Sequence, residues 1–160
     1  FRDDPKRDGE IMKNFDAQKF SERFSDEYAL LIRLHPQVHT GEVDAGESAI
    51  DMTRYPDVGE LVRICDLLIT DYSSICMDFV LLRKPCLFYA FDLEEYERER
   101  SFFFSYEDYV PGKTAKTFDG LLNMIASEDF GKDRQEKFRE FNFDVFDGKS
   151  AERTVDAIVK

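Results

Sequence analysis

The sequence has no tryptophan and only two histidines, His35 and His39. It has no run of about 18 apolar residues and no basic segment leading into a shorter apolar one, so neither a membrane-spanning helix nor a secretory leader is expected. Its three cysteines, Cys65, Cys76 and Cys86, lie in apolar segments without CxxC spacing, which excludes a zinc pattern and predicts buried, reduced thiols of a cytoplasmic protein. No acidic cluster has divalent-metal spacing, so no metal is expected. Positive charge is also scarce. Lys and Arg number 22 against 34 Asp and Glu, and the net charge of −12 would repel a nucleic-acid backbone, so no nucleic-acid partner is expected. A small phosphorylated ligand remains compatible, because local donors outweigh a remote charge beyond a Debye length of about 8 Å.

What the sequence does hold is phenylalanine, 16 in 160 residues, enough for one domain with an aromatic core. Phe102, Phe103 and Phe104 are too apolar to leave in water and are read as packing. The polar stretch from Phe1 to Gly9 reads as a loop. Phe15, Phe20 and Phe24 recur at helical spacing over about 15–25. Tyr28 to Ile32 forms a buried strand that ends at Arg33-Leu34-His35-Pro36, where proline stops the ladder. A loop over 37–48 leads to a short strand at 49–53. Asp57 and Glu60 have capping-box spacing at the head of a helix to about Cys65. A third strand over 66–70 runs into the turn Asp71-Tyr72-Ser73-Ser74 and a helix over 74–83. A fourth strand spans 85–91, and Asp92 with Glu95 repeats the capping spacing at the head of a helix to Arg100. After the aromatic segment comes a Pro111-Gly112 turn, then helices near 118–127, 132–141 and 150–159. This alternation predicts an α/β fold with a parallel sheet covered by helices on both faces.

In such a sheet ligands bind beyond the carboxyl ends of the strands. His35, the Asp71–Ser74 turn and Asp92 all fall at such ends. The turn aims a helix start and two hydroxyls at that crevice, a setting that suits an anion, although Ser73 or Ser74 acting as an ordinary helix cap explains the motif equally well. Asp71 beside a phosphate would repel it, so its expected role is orientation, through the turn backbone or a sugar hydroxyl. His35 is a candidate to donate to a pyrophosphate and to stabilise a departing phosphate. His39, in the loop, has no comparable support. Ser150 and Arg153 offer a hydroxyl and a cation at the head of the last helix, which an ordinary capped surface helix would also show.

Taken in order, Leu31-Ile32-Arg33-Leu34-His35-Pro36, Tyr55-Pro56-Asp57, Cys65 to Ser74, Lys84-Pro85, Asp92 to Tyr96, Pro111-Gly112 and Asp147-Gly148 resemble the C-terminal region of the CDP-glycerol glycerophosphotransferase family. The resemblance runs over nearly the whole chain, 1–160 as a single domain. It implies a Rossmann-like unit, the C-terminal half of a GT-B-type two-domain enzyme, as a fragment without its first strand and without the N-terminal domain. It implies transfer of glycerol phosphate from CDP-glycerol, a substrate and not a cofactor, to a growing teichoic-acid-type polymer with release of CMP. His35, Ser73 and Ser74 would meet the pyrophosphate, with Arg153 as a further cation, and Arg54, Tyr55 and Pro56 would meet the cytosine and ribose. No cofactor is implied. The lipid-linked polyol-phosphate acceptor and the general base would come from the other domain, at the cytoplasmic face of the membrane. The fragment alone should bind nucleotide without turnover, and its open sheet edge invites self-association. A ribitol-phosphate or capsule-polymer transferase of the same family is the nearest alternative, and a non-catalytic nucleotide-binding module another. Two departures stand out. Ser150-Ala151 stand where the family has a small residue followed by serine, turning the hydroxyl by about 100° on its helix, and Ser101 stands where glycine is expected.

Overall fold

The computed structural model describes residues 13–35 and 46–159. The expected N-terminal loop, Pro36 and His39 lie outside the described residues. In chain order the elements are α1 (Ala17–Phe24), β1 (Leu31–Ile32), a 3₁₀ turn (Gly46–Ser48), β2 (Ile50–Asp51), α2 (Val58–Ile64), β3 (Leu68–Thr70), α3 (Ile75–Leu81), β4 (Cys86–Tyr89), α4 (Leu93–Arg100), α5 (Tyr106–Tyr109), β5 (Lys113–Ala115), α6 (Phe118–Ala126), α7 (Lys132–Asn142) and α8 (Ser150–Val159).

Among the described residues all strand pairs are parallel. β1 pairs with β2, with Leu31 opposite Ile50, and β4 lies between β3 and β5, with Ile69 opposite Leu87 and Phe88 opposite Thr114. The middle strand is buried at all four positions, as expected of a parallel strand covered on both faces. Its side chains alternate between two cores. Leu87 and Tyr89 join Phe20, Phe24, Leu121, Leu122 and Ile125 from α1 and α6, and Leu30 and Ile69 pack against this group. Cys86 and Phe88 join Val62, Phe79, Leu93 and Tyr106 from α2 to α5. Helices therefore cover both faces of this sheet.

Local chemistry accounts for most element ends. Asp16 accepts from the Lys19 amide, Asp57 from the Gly59 and Glu60 amides, and Thr117 from the Gly120 amide, each satisfying orphan donors at a helix start. Lys84 secures the other end of α2, its Nζ donating to the Arg63 carbonyl at 2.8 Å and the Cys65 carbonyl at 2.7 Å. Pro85 stands immediately before the fourth strand, where proline is tolerated, and its carbonyl accepts from the Leu68 amide at 3.1 Å.

Several expectations need correcting. Of the buried strand expected over 28–32 only Leu31–Ile32 is strand, and it is half-buried. The single expected sheet is, among the described residues, two sheets of two and three strands. Asp92 makes no side-chain cap on α4, despite its spacing to Glu95, because its carboxylate accepts from the Tyr72 hydroxyl. Glu60 does not close the capping box at Asp57, because it accepts from the Tyr55 hydroxyl at 2.5 Å. A fifth strand and the short α5 flank Pro111-Gly112 where only a turn is expected. Lys113-Thr114-Ala115 has no apolar pattern to announce a strand, and only Ala115 in it is buried. The three-phenylalanine run does not pack as a unit: Phe102 enters an aromatic stack, Phe104 lies against Tyr109 and Phe141, and Phe103 is fully exposed.

The thiols are free, as expected, with Cys76 and Cys86 buried and Cys65 half-buried. Burial pushes the Cys76 thiol up to about 11 and the Cys86 thiol up to about 12.

Candidate functional site

The candidate residues fall into three groups. At the end of β1 the Met52 amide donates to the Ile32 carbonyl at 2.7 Å and the Leu34 amide to Thr53 Oγ1 at 3.2 Å. Arg33 reaches the Tyr55 carbonyl at 3.5 Å. These bonds fasten the strand end bearing His35 to the turn bearing Arg54, Tyr55 and Pro56. His35, Arg54 and Pro56 are exposed and Tyr55 is half-buried. The Tyr55 hydroxyl is turned to Glu60, and that hydrogen bond, with the charge behind it, raises its pKa.

The second group stands at the ends of β3 and β4. Ser73 and Ser74 are exposed, whereas Asp71 and Tyr72 are half-buried. Ser73 Oγ accepts from the Ile75 amide at 3.3 Å, so its own hydrogen remains available to donate to a ligand. Ser74 sits at the cap position of α3 without a side-chain cap bond. α3 has only seven residues, and its Ile75 and Met77 amides already donate to Ser73 Oγ and to the Ser74 carbonyl, so the exposed hydroxyls are freer donors than the helix end. Tyr72 turns inward. Its hydroxyl donates to Asp92 Oδ1 at 2.9 Å, and its ring stacks on Tyr96 with centroids 3.7 Å apart. Phe102 and Tyr106 complete the cluster, and the Tyr106 hydroxyl donates to the Asp71 carbonyl at 2.8 Å. Burial first, then the neighbouring Asp92 and Asp71 charges, hold both tyrosines far above their ordinary pKa, so both are neutral donors at any working pH.

The third group is at the head of α8. Arg153 Nη1 donates to both carboxylate oxygens of Asp147, at 2.8 and 2.7 Å, and its Nη2 reaches Ser150 Oγ at 3.2 Å. Arg153 draws the Asp147 pKa down, chiefly through that hydrogen bond. Among the described residues, no hydrogen bond from the Ser150 or Arg153 side chain leaves this helix head, which is exposed throughout.

The half-buried Tyr72 thus has its hydroxyl and ring engaged within the protein, and three residues around it carry structure that no local pattern announces. Tyr96 lies in one of the resembling motifs and Phe102 in the aromatic run, but Tyr106 meets Asp71 from 35 residues away. Among the described residues no three His, Cys, Asp or Glu side chains converge as a metal set, and no helix is long and apolar enough to cross a membrane. A separate open cleft of about 410 Å³, lined by Arg83, Glu136, Arg139 and Phe146, contains none of the candidates.

The profile of the family described as CDP-Glycerol:Poly(glycerophosphate) glycerophosphotransferase matches residues 1–160. The chain is similar to a teichoic acid poly(ribitol-phosphate) polymerase of Bacillus spizizenii, 35% identical over 147 residues, covering 90% of this chain and 24% of that protein. It is 31% identical over 152 residues to a teichoic acid glycerol-phosphate transferase of Staphylococcus aureus, covering 92% of this chain and 39% of that one. It is 33% identical over 158 residues to a teichoic acid poly(glycerol phosphate) polymerase of Bacillus subtilis, covering 92% and 21%. Among solved structures, the wall teichoic acid polymerase TagF superposes with a TM-score of 0.73 at 29% identity, covering 89% of this chain and 36% of that one. A variant of TagF soaked with CDPG superposes equally well, with a TM-score of 0.73 at 28% identity, covering 91% and 38%. The chain therefore spans well under half the length of these relatives, between 21% and 39%.

Proposed function

The chain belongs to the CDP-glycerol:poly(glycerophosphate) glycerophosphotransferase family, and from that membership we propose that it is the donor-binding unit of a teichoic-acid-type polymerase. In this reading it is the Rossmann-like C-terminal half of a GT-B-type enzyme. It holds CDP-glycerol while the terminal hydroxyl of a growing polymer attacks the β-phosphorus and CMP leaves. The observation that carries the reading is the Asp71–Ser74 turn, which presents two exposed serine hydroxyls on a backbone held from behind by Tyr106 and by the Tyr72–Asp92 bond.

Phosphoryl transfer asks the protein chiefly to position the donor and to stabilise charge on the transferring and leaving groups. Ser73 and Ser74 donate to the diphosphate, and His35 donates to the β-phosphate as charge builds on it. Asp71 orients the donor through a sugar hydroxyl, and Arg54, Tyr55 and Pro56, fastened to the His35 strand end, face the cytosine and ribose. Arg153 joins only by exchanging its Asp147 carboxylate for a phosphate oxygen, with Ser150 beside it. The acceptor, a lipid-linked polyol phosphate, and the base that activates it belong to a further domain, at the cytoplasmic face of the membrane. The isolated unit then binds nucleotide without turnover, and an unpaired sheet edge would be its route to self-association.

Calorimetric titration of the purified protein with CDP-glycerol, CDP-ribitol, CMP and UDP-glucose tests this reading. Cytidine compounds should bind and UDP-glucose should not; the absence of that preference refutes it. His35→Ala should weaken CDP-glycerol more than CMP, and equal losses would remove His35 from the β-phosphate. A ribitol-phosphate donor is the second reading, favoured by the ribitol-phosphate polymerases and primase among the relatives. Tighter binding of CDP-ribitol than of CDP-glycerol selects it.

A further inference from the structure

The aromatic segment after α4 acquires a role once its contacts are traced. Tyr72, Tyr96, Phe102 and Tyr106 come from the turn, from α4, from the loop and from α5, and their rings lie 3.7 to 5.9 Å apart. Two hydroxyls tie this cluster to the serine turn: Tyr106 donates to the Asp71 carbonyl at 2.8 Å, and Tyr72 donates to Asp92 at 2.9 Å. The chain accepts local strain to build it. Ser101, between α4 and Phe102, has φ 60 and ψ 164, a region that only glycine adopts freely. That conformation turns the backbone so that Phe102 enters the stack on Tyr96, with centroids 5.4 Å apart.

We propose that Tyr106 is a positioning residue for the Ser73–Ser74 turn. It pins the Asp71 carbonyl so that the backbone between the end of β3 and α3 holds both hydroxyls in one orientation before the donor diphosphate arrives. Tyr72, braced on Asp92 and stacked on Tyr96, resists rotation of the same turn about its own peptide. Neither tyrosine touches the ligand; both act through the serines. Their raised pKa values keep both hydroxyls as donors across the working pH range. A turn without these ties would have to be ordered by the ligand, and that ordering would be subtracted from affinity. The inference rests on the diphosphate reading of the serine turn.

The test is a mutant cycle read by calorimetry with CDP-glycerol. Tyr106→Phe removes one hydroxyl and keeps the ring, and should weaken binding about threefold to tenfold, the usual size of one lost hydrogen bond. Tyr109→Phe is the control: it removes a matched hydroxyl bond on the same helix, to Asn142 at 2.7 Å, and should change binding by less than about twofold. Ser73→Ala with Ser74→Ala should weaken binding more than either. In that background Tyr106→Phe should add less than about a further twofold, because the groups it positions are gone. Equal losses from Tyr106→Phe and Tyr109→Phe, or an undiminished Tyr106→Phe loss in the serine-free background, would reduce Tyr106 to general stability and overturn the inference. If the serine double variant binds as tightly as the parent, the diphosphate site itself is wrong and the inference falls with it. Tyr72→Phe should follow the same pattern.

Discussion

Replacing Gly112 by alanine places one methyl group where the fold has no room, and the size of the effect follows from the geometry. An ideal Cβ at this position lies 2.1 Å from the Cys86 carbonyl oxygen, 2.9 Å from its carbon and 3.3 Å from Phe88 Cε2. An ordinary carbon-to-oxygen contact is about 3.3 Å, so the overlap is roughly 1.2 Å. Cys86 cannot retreat, because β4 is held on its other side by β3, with Leu68 opposite Cys86. The relief must come from β5, which follows Gly112 directly and places Lys113 opposite Leu87. Moving it strains the ladder that ends with the Ala90 amide on the Ala115 carbonyl at 3.0 Å. Overpacking of this kind costs about 1–3 kcal/mol, and one or two weakened hydrogen bonds add about 1 kcal/mol each, so Gly112→Ala should destabilise by about 2–5 kcal/mol. Against a typical stability of about 5–15 kcal/mol that is a large fraction. Urea unfolding followed by circular dichroism should show the midpoint fall by about 1–2.5 M at an m-value of about 2 kcal/mol/M. Gly148→Ala is the comparison. Gly148 has φ +71 but nothing within 4 Å of an added Cβ, so its cost is conformational alone, about 1 kcal/mol. A loss below about 1 kcal/mol for Gly112→Ala, or one no larger than that of Gly148→Ala, would refute the steric argument.

Three further outcomes are expected. Ser101→Gly should relieve the strained backbone at φ 60 and raise stability by about 1–2 kcal/mol, or roughly 2–8 °C in a thermal melt; Ser101→Ala should give no gain. Under native conditions at pH 8 a thiol reagent should modify Cys65 first, with Cys76 and Cys86 waiting on unfolding, because burial pushes those two thiols up to about 11 and about 12. Because the folded pKa of Asp147 is depressed below its ordinary 3.8, its pairing with Arg153 supports the α8 head above that value and is lost as pH falls through the lower folded one. Helical signal from α8 should fall over that acid range, and Asp147→Asn should show the same loss at neutral pH, less so in high salt because the pair is exposed.

The alternation of strands and helices was legible in the sequence because β-branched and apolar runs, proline and cap residues act within a few positions of themselves. Asp57 caps α2 where its spacing places it, and the buried run around Leu87 becomes the central strand. Where two partners compete for one side chain, spacing misleads. Asp92 has the spacing of a cap, yet it accepts from Tyr72, and Glu60 accepts from Tyr55. β5 was not legible because its three residues are held by backbone bonds to β4, which leave no mark on side-chain pattern.

The candidate site divides along the same line. His35, Ser73 and Ser74 could be named from the residues alone, because a strand end and the turn that follows it are local features. That Tyr72 faces inward, that Tyr106 grips the Asp71 carbonyl, and that Arg153 is already paired with Asp147 were decided only when the chain closed on itself. Local backbone preference is written in neighbouring residues, whereas the partner of a buried hydroxyl is settled by whichever acceptor, however distant in sequence, the packed core brings within bonding reach.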